Sequence, residues 1–142
     1  MDLISPSILL VDDDKIDLMA VKRSLHILHV ANPVTEARNG IEALEHLRGL
    51  NGQAKITLPC LILLDLNMPR MGGIELLAEL RRDPELRRIL VFITTTSDAE
   101  RDRSLAYDLN VAGYILKHRA AEDFQATIST LAKYWRIIEF PD

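Results

Sequence analysis

A single cysteine, Cys60, occurs among the 142 residues, so no disulfide can form within the chain. That fits a reducing compartment. Cys60 stands between Pro59 and Leu61 at the edge of an apolar run, where cysteine packs as a small hydrophobe. No stretch approaches the roughly 20 apolar residues of a membrane span. The start, Met-Asp-Leu-Ile-Ser-Pro, lacks the basic region and apolar core of a secretory signal, so the cytoplasm is the expected location. Basic charge is not in excess either. The formal net charge of −4 argues against non-specific binding to nucleic acid. Internal repeats, linkers and low-complexity segments are all missing, as is a glycine-rich phosphate loop after the first apolar run. The expectation is one domain over residues 1–142, with its core at about 6–134 and a C-terminal arm at about 135–142.

Apolar runs alternate with helical stripes. Ser7–Val11 is a short apolar run that suits a parallel strand buried on both faces. Leu18, Val21, Leu25 and Leu28 then recur at helical spacing, with Asp14 and Asp17 near the start, where the helix dipole favours acids. Val34–Ala37 is a weak strand, Asn39-Gly40 reads as a turn, and Ala43, Leu44 and Leu47 mark a second helix. Leu61–Leu64 is the strongest strand signal. A loop punctuated by Pro69 and Gly72-Gly73 follows, then a third helix through Ile74, Leu77 and Leu80 that ends near Asp83-Pro84. Ile89–Thr94 predicts a fourth strand and Gly113–Leu116 a fifth. Between them, Ser97 is the expected N-cap of a fourth helix. Phe124, Ile128, Leu131, Trp135 and Ile138 form an amphipathic stripe for the last helix. Five such alternations predict an α/β fold: a flavodoxin-like, doubly wound five-stranded parallel sheet of order 2-1-3-4-5, with five helices and a short C-terminal extension.

The chemistry falls at the strand ends. Asp12 and Asp13 close the first strand, Asp65 the third, Thr95 the fourth and Lys117 the fifth. Open α/β sheets build their sites at the carboxyl ends of strands, and this order makes strands one and three neighbours. Three carboxylates would therefore converge beside a hydroxyl and an ammonium, and they repel one another unless a cation or proton is present. An all-oxygen set without His or Cys favours Mg²⁺, for which Mn²⁺ could substitute. Asp13, Asp65 and a loop carbonyl such as that of Asn67 are the expected ligands, with Asp12 acting through water. A carboxylate so placed is a competent nucleophile toward phosphorus. Each group alone has a plainer reading: an acidic triplet is usually a solvated turn or helix cap, a threonine a strand residue, a lysine a surface charge. Their joint placement on one edge makes the pattern informative.

At these residues the chain resembles the response-regulator receiver domain of two-component signalling along nearly its full length. The resemblance lies in Ile8-Leu-Leu-Val-Asp-Asp-Asp14, Leu61-Ile-Leu-Leu-Asp-Leu-Asn-Met-Pro-Arg-Met-Gly-Gly73, Phe92-Ile-Thr-Thr-Thr-Ser97 and Ala112-Gly-Tyr-Ile-Leu-Lys117. It implies that Asp65 accepts a phosphoryl group from a histidine kinase. Asp13 binds Mg²⁺ directly, Asp12 helps through water and Asn67 offers its carbonyl. Thr95 and Tyr114 act as the switch pair, and Lys117 bridges to the phosphoryl oxygen. Such a protein catalyses only its own phosphorylation and dephosphorylation and is not a conventional enzyme. One departure is His118, where most receivers carry proline, and it leaves the loop after Lys117 open. Lys117-His118-Arg119, the long 51–58 connection, Thr95-Thr96-Ser97 and the ending Tyr134-Trp-Arg-Ile-Ile-Glu-Phe-Pro141 further resemble the small regulators paired with phytochrome kinases.

No output domain is expected after the fifth helix, so signalling should run through contact with a downstream protein. Trp135, Ile137, Ile138, Phe140 and Pro141 are apolar for a chain end. Either they fold back on their own domain or they form an arm that packs on a second copy. The homodimer is the expectation carried forward. Arg81, Arg82, Arg87 and Arg88 read as a solvated basic face, and His26, His29 and His46 as structural or solvated, the first two sharing a helix face. Two rivals remain. An aspartate-nucleophile, Mg²⁺-dependent phosphatase would need Asp at position 67, and a pseudo-receiver would lack one of the acids or the lysine.

Overall fold

The computed structural model describes residues 6–27, 29–117, 124–137 and 140–141. Strands β1 (Ser7–Val11), β2 (Val34–Ala37), β3 (Cys60–Leu64), β4 (Leu90–Thr95) and β5 (Gly113–Leu116) alternate with helices α1 (Lys15–Ile27), α2 (Gly40–Arg48), α3 (Gly73–Arg82), α4 (Glu100–Asp108) and α5 (Phe124–Ile137). The strands pair in parallel in the order β2-β1-β3-β4-β5, as the alternation predicts. β1 and β3 are buried along their whole length, which explains why both read as unbroken apolar runs.

Successive side chains on a strand point to opposite faces, and here they divide the core in two. Leu9, Val11, Ile62, Leu64, Val91 and Ile93 meet Ala43, Leu44, Leu47, Leu76, Leu77, Leu80 and Ala106 from α2, α3 and α4. Ile8, Leu10, Leu61, Leu63 and Phe92 meet Leu18, Val21 and Leu25 of α1 and Ala132 and Trp135 of α5. Two helices thus cover one face and three the other.

Several local expectations need correction. Asn39-Gly40 is a helix start rather than a free turn: the Asn39 side chain accepts from the Glu42 N–H at 2.9 Å and caps α2. Ser97 is not the N-cap of α4. That helix begins at Glu100 after Ala99, and the Ser97 hydroxyl reaches forward to donate to Asp102 at 2.6 Å. α1 stops at Ile27, and His29 lies beyond it at φ 55°, so His26 and His29 do not share a helix face.

The basic run also divides. The half-buried Arg81 guanidinium donates to the carbonyls of Leu109 at 2.7 Å, Arg87 at 2.7 Å, Ile89 at 2.9 Å and Asn110 at 3.1 Å. It ties the end of α3 to the segment before β4 and to the end of α4, so it is a structural clasp rather than part of a solvated face. Burial lowers its pKa, and the four carbonyls satisfy its donors in compensation. Arg82 pairs with Glu79 on its own helix, while Arg87 and Arg88 are exposed.

At the C-terminal end, the described residues of the expected arm lie against their own domain. Trp135 is 6 % exposed and packs into its own core, with its ring centroid 6.5 Å from that of Phe92. Phe140 packs against the same cluster, and Pro141 lines a small surface depression with Leu58, Pro59, Cys60 and Ile89. Leu28, His118, Arg119 and Ile138 lie outside the described residues, as do the side chains of Phe124, Ile128 and Ile137.

Candidate functional site

The parallel ladder carries the acids into place. β1 and β3 pair Val11 with Leu64 as their last rung. The Asp65 N–H then donates to the Val11 carbonyl at 2.8 Å, and the Asp12 N–H to the Ala37 carbonyl at 3.0 Å. The sheet's hydrogen bonding therefore runs one residue past the apolar segments and fixes the backbones of both acids. On the other side, β4 and β5 pair Thr95 with Leu116, and Lys117 follows directly.

Asp12, Asp13 and Asp65 each offer a carboxylate oxygen, and these atoms lie within 4.8 Å of one another. Asp12 and Asp65 are buried and Asp13 is exposed. Burial pushes the Asp65 carboxyl up to about 6, Lys117 opposes this, and Asp12 and Asp13 add to it. Asp12 is also raised, by burial first, against the pull of Lys117. The set is all oxygen and crowded with like charge, which is the donor chemistry a hard divalent cation requires. Asn67 borders it: its N–H lies 3.5 Å from Asp65 Oδ1.

Lys117 closes the site from β5. Nζ donates to Asp12 Oδ2 at 2.8 Å and to Asp17 Oδ2 at 2.7 Å, and it lies 3.7 Å from Asp65 Oδ2. Burial alone would lower the ammonium's pKa, but the two hydrogen-bonded carboxylates outweigh it and hold the group above its ordinary value. Asp17 is a site residue that the sequence reading missed. It was read only as an acid suited to the helix dipole, because nothing local reveals a partner a hundred positions away.

The start of α3 is pressed against this edge. A Cβ on Gly73 would come within 2.6 Å of the Asp65 carbonyl and 2.7 Å of Leu66 Cα, so only glycine lets the helix approach so closely. The Gly73 N–H meets the Leu66 carbonyl at 2.9 Å.

Thr95 and Tyr114 join through Ser97. The fully buried Thr95 accepts from the Ser97 N–H at 3.2 Å, and the Tyr114 hydroxyl donates to the Ser97 carbonyl at 2.8 Å. The structure thus brings Asp12, Asp13, Asp65 and Lys117 together, sets Asn67 at their border and links Thr95 with Tyr114. Trp135, Phe140 and Pro141 sit elsewhere. Cys60 is buried at the start of β3, and burial pushes its thiol up to about 12, which fits a packing role. No helix among the described residues is long and apolar enough to cross a membrane.

Comparison with known proteins agrees with this geometry. The response regulator receiver domain family matches residues 8–129. The response regulator Rcp1 of Synechocystis sp. is 35% identical over 128 residues, covering 90% of this chain and 87% of that protein. The probable methanogenesis regulatory protein FilR2 of Methanothrix harundinacea is 34% identical over 128 residues, covering 90% and 82%. Among solved structures, the phosphorylated cyanobacterial phytochrome response regulator RcpA superposes with a TM-score of 0.88 at 35% identity, covering 98% of this chain and 100% of that one. The Mn²⁺-bound form of Rcp1 superposes with a TM-score of 0.85 at 32% identity, covering 96% and 99%. With its strand order, its acid cluster and its lysine at the end of β5, the chain belongs to the response regulator receiver domain family.

Proposed function

We propose that Asp65 accepts a phosphoryl group from a histidine kinase with Mg²⁺ bound beside it, and that the phosphorylated protein signals through contacts with another protein. The observation that carries this reading is the placement of Lys117 Nζ 3.7 Å from Asp65 Oδ2, next to three carboxylates whose oxygens lie within 4.8 Å. Asp13 and Asp65 would hold the cation with the Asn67 carbonyl, and Asp12 through water; Mn²⁺ would serve in its place. When bound, the cation neutralises the crowded carboxylates and polarises the incoming phosphoryl oxygens.

The protein's own groups do the rest. An Asp65 carboxylate oxygen bonds to phosphorus as the phosphorus–nitrogen bond of the donor phosphohistidine breaks, and the imidazole leaves with a proton from solvent. Lys117 hydrogen-bonds one phosphoryl oxygen. Thr95 turns its hydroxyl to another, which releases the Ser97 N–H and lets Tyr114 change rotamer. The readout is a remodelled surface near α4 and α5. Retention of all three acids and the lysine weighs against a pseudo-receiver, and Asn67 weighs against an aspartate phosphatase.

The likeness to the phytochrome response regulator RcpA supports a phytochrome-type kinase as the donor, and the cytoplasm is the compartment we infer. The test is incubation with acetyl phosphate, with and without Mg²⁺, followed by intact mass, with Asp65→Asn alongside. One Mg²⁺-dependent phosphoryl adduct, lost in the variant, is expected. Its absence with both acetyl phosphate and phytochrome-type kinases would refute the reading. Sedimentation of the phosphorylated form tests pairing with a second copy.

A further inference from the structure

Lys117 is held by a carboxylate that stands outside the metal-ligating set. Asp12 Oδ2 and Asp17 Oδ2 each accept from its Nζ, at 2.8 Å and 2.7 Å. Asp12 belongs to the acid cluster, but Asp17 does not: it projects from the first turn of α1. An ammonium has three N–H donors on a flexible four-carbon stem. Two are engaged by these acids, and Asp65 Oδ2, at 3.7 Å, is too distant to engage the third. The ammonium therefore stands back from the phosphoacceptor by about the room that an arriving oxygen needs.

We propose that Asp17 is a positioning residue for phosphoryl transfer: it tethers the Lys117 ammonium so that a remaining donor meets the group arriving at Asp65. The inference rests on the receiver reading above. Asp12 cannot supply a constant anchor, because its carboxylate is also claimed by the cation's water shell. Asp17 has no such second duty. Without it, no other described residue of α1 restrains the ammonium from collapsing onto Asp12 and Asp65, where it would block the oxygen it should assist. The Asp17 side chain is 37% exposed, and α1 is capped independently by Asp14, which accepts from the Ile16 N–H at 2.8 Å. Removing Asp17 should therefore leave the fold intact.

The experiment follows phosphorylation by acetyl phosphate across a Mg²⁺ series, using intact-mass time courses. In Asp17→Ala the rate at saturating Mg²⁺ should fall on the order of 10-fold, while the half-saturating Mg²⁺ concentration stays within about 2-fold, as expected for lost orientation rather than lost metal binding. Asp17→Asn keeps an oxygen that accepts from the ammonium, so it should recover most of the rate; a purely electrostatic role would leave it no better than Ala. In a Lys117→Ala background, adding Asp17→Ala should change nothing further, because the two act as one unit. A wild-type rate in Asp17→Ala, a loss confined to Mg²⁺ affinity, or multiplying effects in the double variant would overturn the proposal. If the parent protein takes phosphate and Asp17→Ala equals it, this inference alone fails. If the parent takes none from any donor, the receiver reading fails and this one with it.

Discussion

Replacing Asp65 should stabilise the protein in the absence of metal. The buried Asp65 carboxyl is pushed from 3.8 to about 6, by burial first and then by Asp12 and Asp13, against the pull of Lys117. A carboxyl with a raised folded-state pKa penalises the fold once it is ionised. Each tenfold change is worth about 1.4 kcal/mol, so this rise corresponds to about 3 kcal/mol. The penalty is absent below pH 3.8, where the acid is protonated folded or unfolded. It grows as pH rises through the window from 3.8 to about 6 and is complete above it. Asp65→Asn removes the charge and nearly keeps the shape. In EDTA at pH 8 the variant should be more stable by about 2–3 kcal/mol, a rise in Tm on the order of 5–10 °C for a domain of this size. Near pH 4 the two proteins should approach one another. Adding Mg²⁺ at pH 8 should narrow the gap from the other side, since the cation stabilises only the protein that binds it well. Urea melts across pH, with and without Mg²⁺, supply the test. A variant no more stable than the parent at pH 8 without metal, or a gap that does not shrink toward pH 4, would refute the reasoning.

Three other outcomes are expected. Arg81→Ala strips four carbonyls, two of them in part-buried bonds, of a charged donor and should cost about 2–3 kcal/mol in chemical denaturation, whereas Arg88→Ala should be near neutral. Gly73→Ala drives a methyl into the Asp65 carbonyl and Leu66 Cα, so it should cost about 1–3 kcal/mol and slow phosphorylation of Asp65, both measurable on the purified variant. Cys60 should resist iodoacetamide in the folded protein at pH 8 and react after denaturation, because its thiol is buried and burial pushes it up to about 12.

The sheet and the acid cluster were legible because both rest on local pattern. Ser7–Val11 and Leu61–Leu64 are short apolar runs that stop at an acid, and the parallel order turns those stops into neighbours. What escaped were pairings between residues distant in sequence. Asp17 shows only its place in a helix, and its bond to Lys117 needs α1 and β5 to be brought to the same edge. Arg81 looks like its neighbours Arg82, Arg87 and Arg88 until the carbonyls of Leu109 and Asn110 are in place around it. Trp135 has the same character: apolarity near a chain end does not tell whether the cavity it fills is its own or a partner's. Asn39-Gly40 failed differently, since the residues that make turns also make caps, and only the Glu42 N–H decides between them.

The Arg81 clasp makes α4 a lever with a fixed fulcrum. Its far end is pinned through the Leu109 and Asn110 carbonyls, while its near end starts at Ala99 with no side-chain cap and leans on Ser97, the residue shared by Thr95 and Tyr114. Under the proposed switch, a shift at Thr95 would act through Ser97 on the start of this nine-residue helix and swing it about its pinned end. Displacement at α4 should be largest near Glu100 and fade toward Asp108, so a partner that docks beside Ala99 reads the event at full amplitude, and one that docks beside Asn110 hardly reads it at all.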